Sequence, residues 1–361
     1  MQAFYRMTRY ALPVLFFGYA PFANMAYLEQ PGELAPFDMG VLKGTLTQSF
    51  DTAYKTAMPH RDASIGLIGA GRYVLVGEGR KGVLTGRDGW LFTAEEARIP
   101  GNGLDTGLSE IAAIRTRLAA AGVDLVLVPV PAKVDVQAAQ AGAPELSAMM
   151  AQLYAGFVSG LQAADVGVVD TRPALLTLAA TQPAFFQTDT HWTLEGAAAV
   201  AGAVAQSGLI APGAADMTRA ALEPKTIAGD LVSYVTSETL APYIGLPRET
   251  LAPYEVTLQD AGGLGDLFGP AAVDVVLVGT SYSANADWSF AEALKLALQS
   301  DVLNAAAQGL GPVVPMRDYL ASEQFRDAPP KVVIWEFPLR YLTEPTLWDA
   351  PDAPMEVASA D

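Results

Sequence analysis

The sequence predicts an α/β sandwich with a mostly parallel central sheet, on three observations. Continuous apolar runs at Val123–Val130, Val273–Val278 and Lys331–Phe337 are typical of strands buried on both faces. Segments with helical spacing, several of them closed by glycine, lie between these runs. Strands that alternate with helices return through crossovers, so neighbouring strands run parallel and helices cover both faces.

Taken in order, Phe50 to Arg72 shows no clean period, and Tyr73–Val76 with Gly82–Gly86 opens a β-rich patch. Gly69-Ala70-Gly71 and Gly77-Glu78-Gly79 read as turns, because neither follows a strand and opens a helix as a phosphate loop must. Gly86-Arg87-Asp88-Gly89-Trp90-Leu91-Phe92 reads as a tight turn between two short strands. Leu104 to Ala121 is a helix ended by Gly122, and a second helix runs from Pro144 to about Ala164, before a short strand at Val166–Val169. Thr193 is placed as the N-cap of a helix to about Ala205 that Gly208 closes. A turn and a helix near Phe290–Leu298 follow the second apolar run, and Glu344–Asp361, rich in Pro, Ala and acid, is a loose tail.

The chain has 361 residues, with 22 Lys and Arg against 39 Asp and Glu, a formal charge of −17. Holding phosphates requires cationic neutralisation, so this balance excludes a nucleic-acid partner. A hydrophobic share of 51% with 17% charged residues suffices for a large core and excludes wholesale disorder. Cysteine is absent, which removes disulfides, thiolate nucleophiles and Cys-ligated metal centres together.

At the amino terminus, Arg6 and Arg9 precede an uncharged stretch from Tyr10 to Leu28 that contains Leu12, Val14, Leu15, Phe16 and Phe17. A basic start followed by an apolar run marks residues 1–26 as a signal peptide or membrane anchor, with Asn24-Met25-Ala26 as the cleavage site. The run is near the lower limit of a membrane span and is interrupted by Pro13, Gly18 and Pro21. The alternative is a buried N-terminal helix of a protein that is not exported. Cleavage after Ala26 would remove both arginines and leave a charge of −19.

Histidine is the sharpest constraint on chemistry, because only His60 and His191 are present. Any Ser–His mechanism must use one of them, and a zinc site built on histidines must join both. His60 has no acid two or three residues before it, whereas His191 stands in Thr188-Asp189-Thr190-His191-Trp192-Thr193. In an extended or looped chain residues i and i+2 share a side, so Asp189 can hold one imidazole nitrogen and leave the other as a general base. The same spacing also describes ordinary surface residues. Ser281, in Val278-Gly279-Thr280-Ser281-Tyr282-Ser283, directly follows an apolar strand, at the sheet end where parallel folds bind ligands. Gly279 permits the tight turn, and N–H groups at the next helix start can stabilise an oxyanion. The plainer alternative is that Ser281 and Ser283 only cap that helix. Asp230, Asp266 and Asp274 single out no glycosidase pair.

On these residues the chain resembles the alginate O-acetyltransferase family of the AlgJ/AlgX type, whose catalytic domain is SGNH-hydrolase-like. The resemblance runs from about Pro59 to Leu342. It rests on Gly86–Phe92, Val128-Pro129-Val130-Pro131-Ala132-Lys133, Thr188–Thr193, Gly229-Asp230-Leu231, Gly279–Ser283 and Trp335-Glu336-Phe337-Pro338-Leu339-Arg340-Tyr341. It implies a catalytic domain over residues 27–343, ahead of the acidic tail over 344–361; the expected lack of an appended carbohydrate-binding module after Tyr341 is a departure from the AlgX type. By similarity Asp189 orients His191, His191 activates Ser281, and Ser281 carries acetyl; the pair precedes the serine, the circularly permuted order of that family. Arg340 and Tyr341, with Lys133, resemble the family's active-site rim. The resemblance implies a periplasmic enzyme, free or anchored to the inner membrane, with no metal and no organic cofactor. Its acetyl would come through a membrane-bound acyltransferase and pass to an exported polysaccharide. A polysaccharide acetyl esterase and a catalytically silent polysaccharide-binding export component are the alternatives. Because −17 would repel a polyuronate, the expected acceptor is a neutral or weakly charged polysaccharide held around Trp192, Arg340 and Tyr341.

Overall fold

The computed structural model describes residues 2–29, 34, 36–37, 39–258 and 273–348. Helices α1 (Gln2–Glu29), α2 (Thr45–Thr56) and α3 (Arg61–Val76) precede an antiparallel hairpin of β1 (Val83–Thr85) and β2 (Leu91–Thr93). α4 (Gly103–Ala120) leads into β3 (Asp124–Val130), and α5 (Pro144–Ala163) into β4 (Gly167–Val168); α6 (Arg172–Ala179) and α7 (Leu194–Gln206) follow. Two antiparallel pairs come next: β5 (Met217–Ala221) pairs with β8 (Tyr254–Leu258), and β6 (Lys225–Ile227) with β7 (Glu249–Leu251). Then come β9 (Val275–Val278), α8 (Phe290–Leu298), β10 (Val302–Asn304), α9 (Val313–Ala321) and β11 (Val332–Pro338).

The central sheet has the order β10-β9-β11-β3-β4, and every pairing in it is parallel. β11 and β3 pair from Val332↔Asp124 to Pro338↔Val130, the longest register in the molecule as described. Leu125, Leu127, Val276, Val278, Val333, Trp335 and Phe337 enter one core, against α4, α5 and α9. Val126, Val128, Val130, Val275, Leu277, Val332 and Ile334 enter the other, against α6, α7 and α8. This two-residue alternation with apolar residues on both faces is why the strands read as unbroken apolar runs. Each fully buried Leu-sized side chain contributes roughly 1.5–3 kcal/mol, so the two cores hold the strand ends rigidly beneath the site.

Several expectations need correction. Tyr73–Val76 is the last turn of α3, and Gly69 and Gly71 lie inside that helix. The helix closes at Gly77, whose φ is 73° and whose N–H donates to the Tyr73 carbonyl. Tertiary contact overrides local propensity here: a Cβ on Gly69 would lie 2.0 Å from the Val235 carbonyl oxygen, so glycine lets the helix press against that loop. α1 runs through Pro13 and Pro21 without a break, each proline removing one bond of the helical ladder. β10, α9 and the pairs between Met217 and Leu258 are too short or irregular to stand out as periodic segments. Trp348, assigned to the tail, is buried against Phe337 and Trp335. Residues 349–361 of the expected tail, and Asp266, lie outside the described residues.

Candidate active site

The site forms where the end of β9 meets the loop before α7. After Val278 the chain turns at Gly279, and Thr280 adopts an extended conformation whose hydroxyl accepts a bond from the Tyr282 N–H. A single helical turn, Ser281–Ala284, follows. Ser281 is its first residue, where a helix has no acceptor of its own for the N–H. Glu336 on neighbouring β11 sits under this turn with no solvent exposure. Its carboxylate accepts bonds from the Thr280 N–H at 3.0 Å, from the Thr280 hydroxyl and from the Ser283 hydroxyl at 2.7 Å. Gly279 is required by proximity, because a Cβ there would lie 2.5 Å from Glu336 Oε2. Burial drives the Glu336 carboxyl above the usual glutamate range, against the bonds from Ser283 and Thr280 that favour its ionised form.

On the opposite side, Thr193 caps α7 through a bond from the Gly196 N–H, and an isolated bridge joins Phe185 to Trp192. Between them the loop turns so that Asp189 Oδ1 accepts from both the His191 N–H, at 2.9 Å, and the ring at Nδ1, at 2.6 Å. Asp189 Oδ2 accepts the Asp230 N–H at 2.9 Å. His191 Nε2 lies 2.8 Å from Ser281 Oγ. Burial raises the Asp189 carboxyl, but the His191 ring and the two backbone N–H groups outweigh it and hold it below the usual aspartate value. Asp189 therefore stays ionised, Nδ1 carries the ring proton, and Nε2 is left to accept the serine proton. Asp189, His191 and Asp230 are close enough to hold a cation. Their oxygens are already engaged, those of Asp230 with the N–H and hydroxyl of Thr190.

The sequence-predicted residues therefore divide. Asp189, His191 and Ser281 come together. Lys133 does not reach a rim: it is 1% exposed, and its ammonium donates to the carbonyls of Leu91, Gln187 and Asp189 at 2.6, 3.1 and 2.8 Å. Burial lowers its pKa to about 8, although Asp189 and Glu96 attract its charge. It ties the Asp189–His191 loop to β2. Trp192 has no exposure and packs on Tyr282 and Phe290 in the second core, so it cannot stack on a sugar. Arg340 is 7% exposed; it donates to Glu95 Oε2 at 2.8 Å and to the Tyr282 hydroxyl at 3.1 Å. Tyr282 in turn donates to the Thr190 carbonyl at 2.6 Å, so Arg340 braces the histidine loop from behind. Tyr341 is half-buried beside the Arg340 guanidinium, 5.1 Å from its ring centre. His60 stands far along the chain's N-terminal part, against Tyr19 and Phe22.

Sequence reasoning missed Glu336, Tyr282 and Trp288. Trp288 stacks on the His191 ring at 5.1 Å and narrows its orientation. Glu336 carried a signal, a carboxylate inside an otherwise apolar strand, which demands a nearby donor set. Trp288 carried none, since it lies 97 residues after His191 with no shared pattern between them. Beside the loop, a cleft of about 520 Å³ is lined by Gln187, Pro242, Gly245, Pro247 and Arg248.

With the geometry in place, the comparisons with known proteins agree on one family. Residues 83–339 match the family described as SGNH hydrolase-like domain, acetyltransferase AlgX. The probable alginate O-acetylase AlgJ of Pseudomonas aeruginosa is 36% identical over 327 residues, covering 86% of this chain and 83% of that protein. The solved O-acetyltransferase domain of Pseudomonas putida AlgJ superposes with a TM-score of 0.65 at 34% identity, over 73% of this chain and 93% of that one. Pseudomonas aeruginosa AlgX superposes with a TM-score of 0.60 at 25% identity, over 74% of this chain and 65% of that one. The parallel α/β sandwich is thus shared with solved relatives, and the chain belongs to the AlgJ/AlgX family of SGNH hydrolase-like O-acetyltransferases.

Proposed function

We propose that the chain is a periplasmic enzyme that moves an acetyl group through Ser281 onto a hydroxyl of an alginate-like exported polysaccharide. The observation that carries this reading is the hydrogen-bonded relay from Asp189 through His191 to Ser281. As Ser281 Oγ attacks the acetyl carbonyl, its proton passes to His191 Nε2, and the Asp189 carboxylate stabilises the imidazolium without taking the proton. The imidazolium then protonates the departing donor group, leaving acetyl on Ser281. In the second half His191 takes the proton of the incoming sugar hydroxyl, the sugar oxygen attacks the acetyl carbon, and Ser281 recovers its proton. The N–H of Ser281, without a helical partner, is placed to meet the developing oxyanion.

Relatives named O-acetylases favour transfer over hydrolysis. Relatives named for alginate favour an alginate-like acceptor over the neutral one argued from composition, since net charge sets the distant field and one local cation can seat a uronate. Delivery of acetyl by a membrane-bound acyltransferase, with α1 as leader or inner-membrane anchor, completes the reading; α1 holds a stretch, Arg9–Glu29, long and apolar enough to cross a membrane. The test is incubation with an activated acetyl ester and an oligomannuronate. The expected products are acetylated oligosaccharide and an acetyl adduct on the Ser281 peptide. Acetate without acetylated sugar would make the chain an esterase, and the absence of any adduct would remove Ser281 from the mechanism.

A further inference from the structure

α3 is amphipathic in reverse. Its buried face consists of Gly66, Gly69 and Ala70, with Tyr73 packed beside the cluster around Leu91 and Val235. Its outward residues include Leu67, Ile68, Val74 and Leu75, which are 67%, 72%, 63% and 85% exposed. Positions 67, 68, 71, 74 and 75 fall on one side of a helix, so the exposed residues form a stripe rather than a scatter. A helix facing water does the opposite, burying its large aliphatic residues and exposing small or polar ones.

Two further observations say what covers the stripe. His60, the N-cap just before α3, lies against the rings of Tyr19 and Phe22 at 6.0 and 6.1 Å. These rings stand seven to ten residues before Glu29, which at 1.5 Å per residue is about 10–15 Å back from the end of α1. The Arg9–Glu29 stretch is 6% buried and has a mean hydropathy of 1.3, so α3 begins alongside the apolar part of a helix fit for lipid. The far end of α3 and the residues just after it are also net basic, in a chain of charge −17. Arg61 opens it, and Arg72, Arg80 and Lys81 at its far end line a cavity of about 670 Å³ with Val83, Leu84 and Phe92. The acids on this stretch, Asp62 and Glu78, pair with Arg61 and Arg72, while the buried Nε of Arg80 has no partner among the described residues.

We propose that α3 is a membrane-surface helix, with its Leu67–Leu75 stripe in the apolar part of the leaflet next to the catalytic domain and its basic end at the anionic headgroups. Small residues then serve the protein-facing side, as they do where helices pack within membranes. The inference goes beyond acetyl transfer and stands whether or not Ser281 is the nucleophile. It fixes the height and tilt of the domain on the bilayer, which an isolated spanning helix on a flexible joint would not do.

The chain has no cysteine, so single introduced cysteines report one position each. Full-length Leu67→Cys, Leu75→Cys and, at the remote end of α7, Gln206→Cys are labelled with a polarity-sensitive fluorophore. They are placed in vesicles of phosphatidylethanolamine and phosphatidylglycerol with no other protein. Labels at 67 and 75 should shift to the blue, lose most quenching by iodide and gain quenching by nitroxide-bearing lipid, whereas the label at 206 keeps its access to iodide. Equal iodide access at all three positions overturns the proposal. Shielding without quenching by the lipid nitroxide also overturns it, because a protein surface is then the occupant. Melting curves verify folding independently of any catalytic assay, and Ile68→Cys and Val74→Cys on the same face replace a variant that fails to fold.

Discussion

Ser281 Oγ and His191 Nε2 lie 2.8 Å apart, and in the proposed relay one proton passes between them, so removing either group abolishes the same step. Ser281→Ala and His191→Ala should each lose on the order of 10⁴-fold or more in turnover of an acetyl ester, by similar amounts, and Asp189→Ala should lose less. Rates of ester hydrolysis check this, with His60→Ala near wild type; unequal losses of Ser281 and His191 would separate them. Glu336 supports a second prediction, through pH. Its folded-state pKa lies above its usual value near 4.5, so above that pH the folded chain holds a proton that the unfolded chain has released. Its contribution to stability therefore falls as pH rises from 4.5 through the folded pKa. Glu336→Gln has no such proton, so the melting temperature of wild type minus that of the variant should decrease over this window. A difference that rises with pH would show that the ionised carboxylate is the form the fold prefers.

At the level of elements, the two halves of the site are held by backbone contacts that only glycine allows. Gly229 is pressed against Thr188, where a Cβ would lie 2.2 Å from the carbonyl oxygen. That approach is what brings the Asp230 N–H to Asp189 Oδ2. Gly229→Ala should push the two loops apart, costing about 1–3 kcal/mol of stability and lowering kcat together with it. Gly71→Ala is the contrasting case, since nothing lies within 4 Å of its Cβ and it sits inside α3. There alanine should be neutral or stabilise by about 0.5–1 kcal/mol. Denaturant melts of the two variants, read beside ester hydrolysis, distinguish a strained loop from a free helix face.

For the whole molecule, the proposed polyuronate acceptor has to be reconciled with a charge of −17. Exposed charges more than about 8 Å apart are screened in physiological salt, so the near field at the cleft outweighs the total. Arg248 lines the cleft beside Gln187, two residues from Asp189, and makes no ion pair among the described residues. Arg248→Ala should raise KM for an oligouronate acceptor several-fold while leaving hydrolysis of a small neutral acetyl ester unchanged. Equal KM values with and without Arg248 would send the carboxylate-binding group elsewhere.

What the sequence by itself determined is what a few consecutive residues can encode. Alternation on both strand faces spelled out β3, β9 and β11, and the Asp-x-His spacing with a serine just past an apolar strand named all three members of the relay. These signals survive because their physics is local: strand period, i and i+2 sharing a side, a glycine turn at a strand end. Tertiary structure alone decided the rest. Lys133 became a buried brace because its ammonium meets the Asp189 carbonyl 56 residues away, and Glu336 became the floor of the serine turn because β11 lies beside β9, again 56 residues from Thr280. Trp192 adjoins His191 in sequence yet faces the core. α3 hid its helix in glycines, of which Gly69 serves a close approach to Val235, and that approach has no trace in the residues around it. Side-chain roles of this kind depend on which segments meet, and cross-chain contacts follow from packing the sheet rather than from any neighbour along the chain.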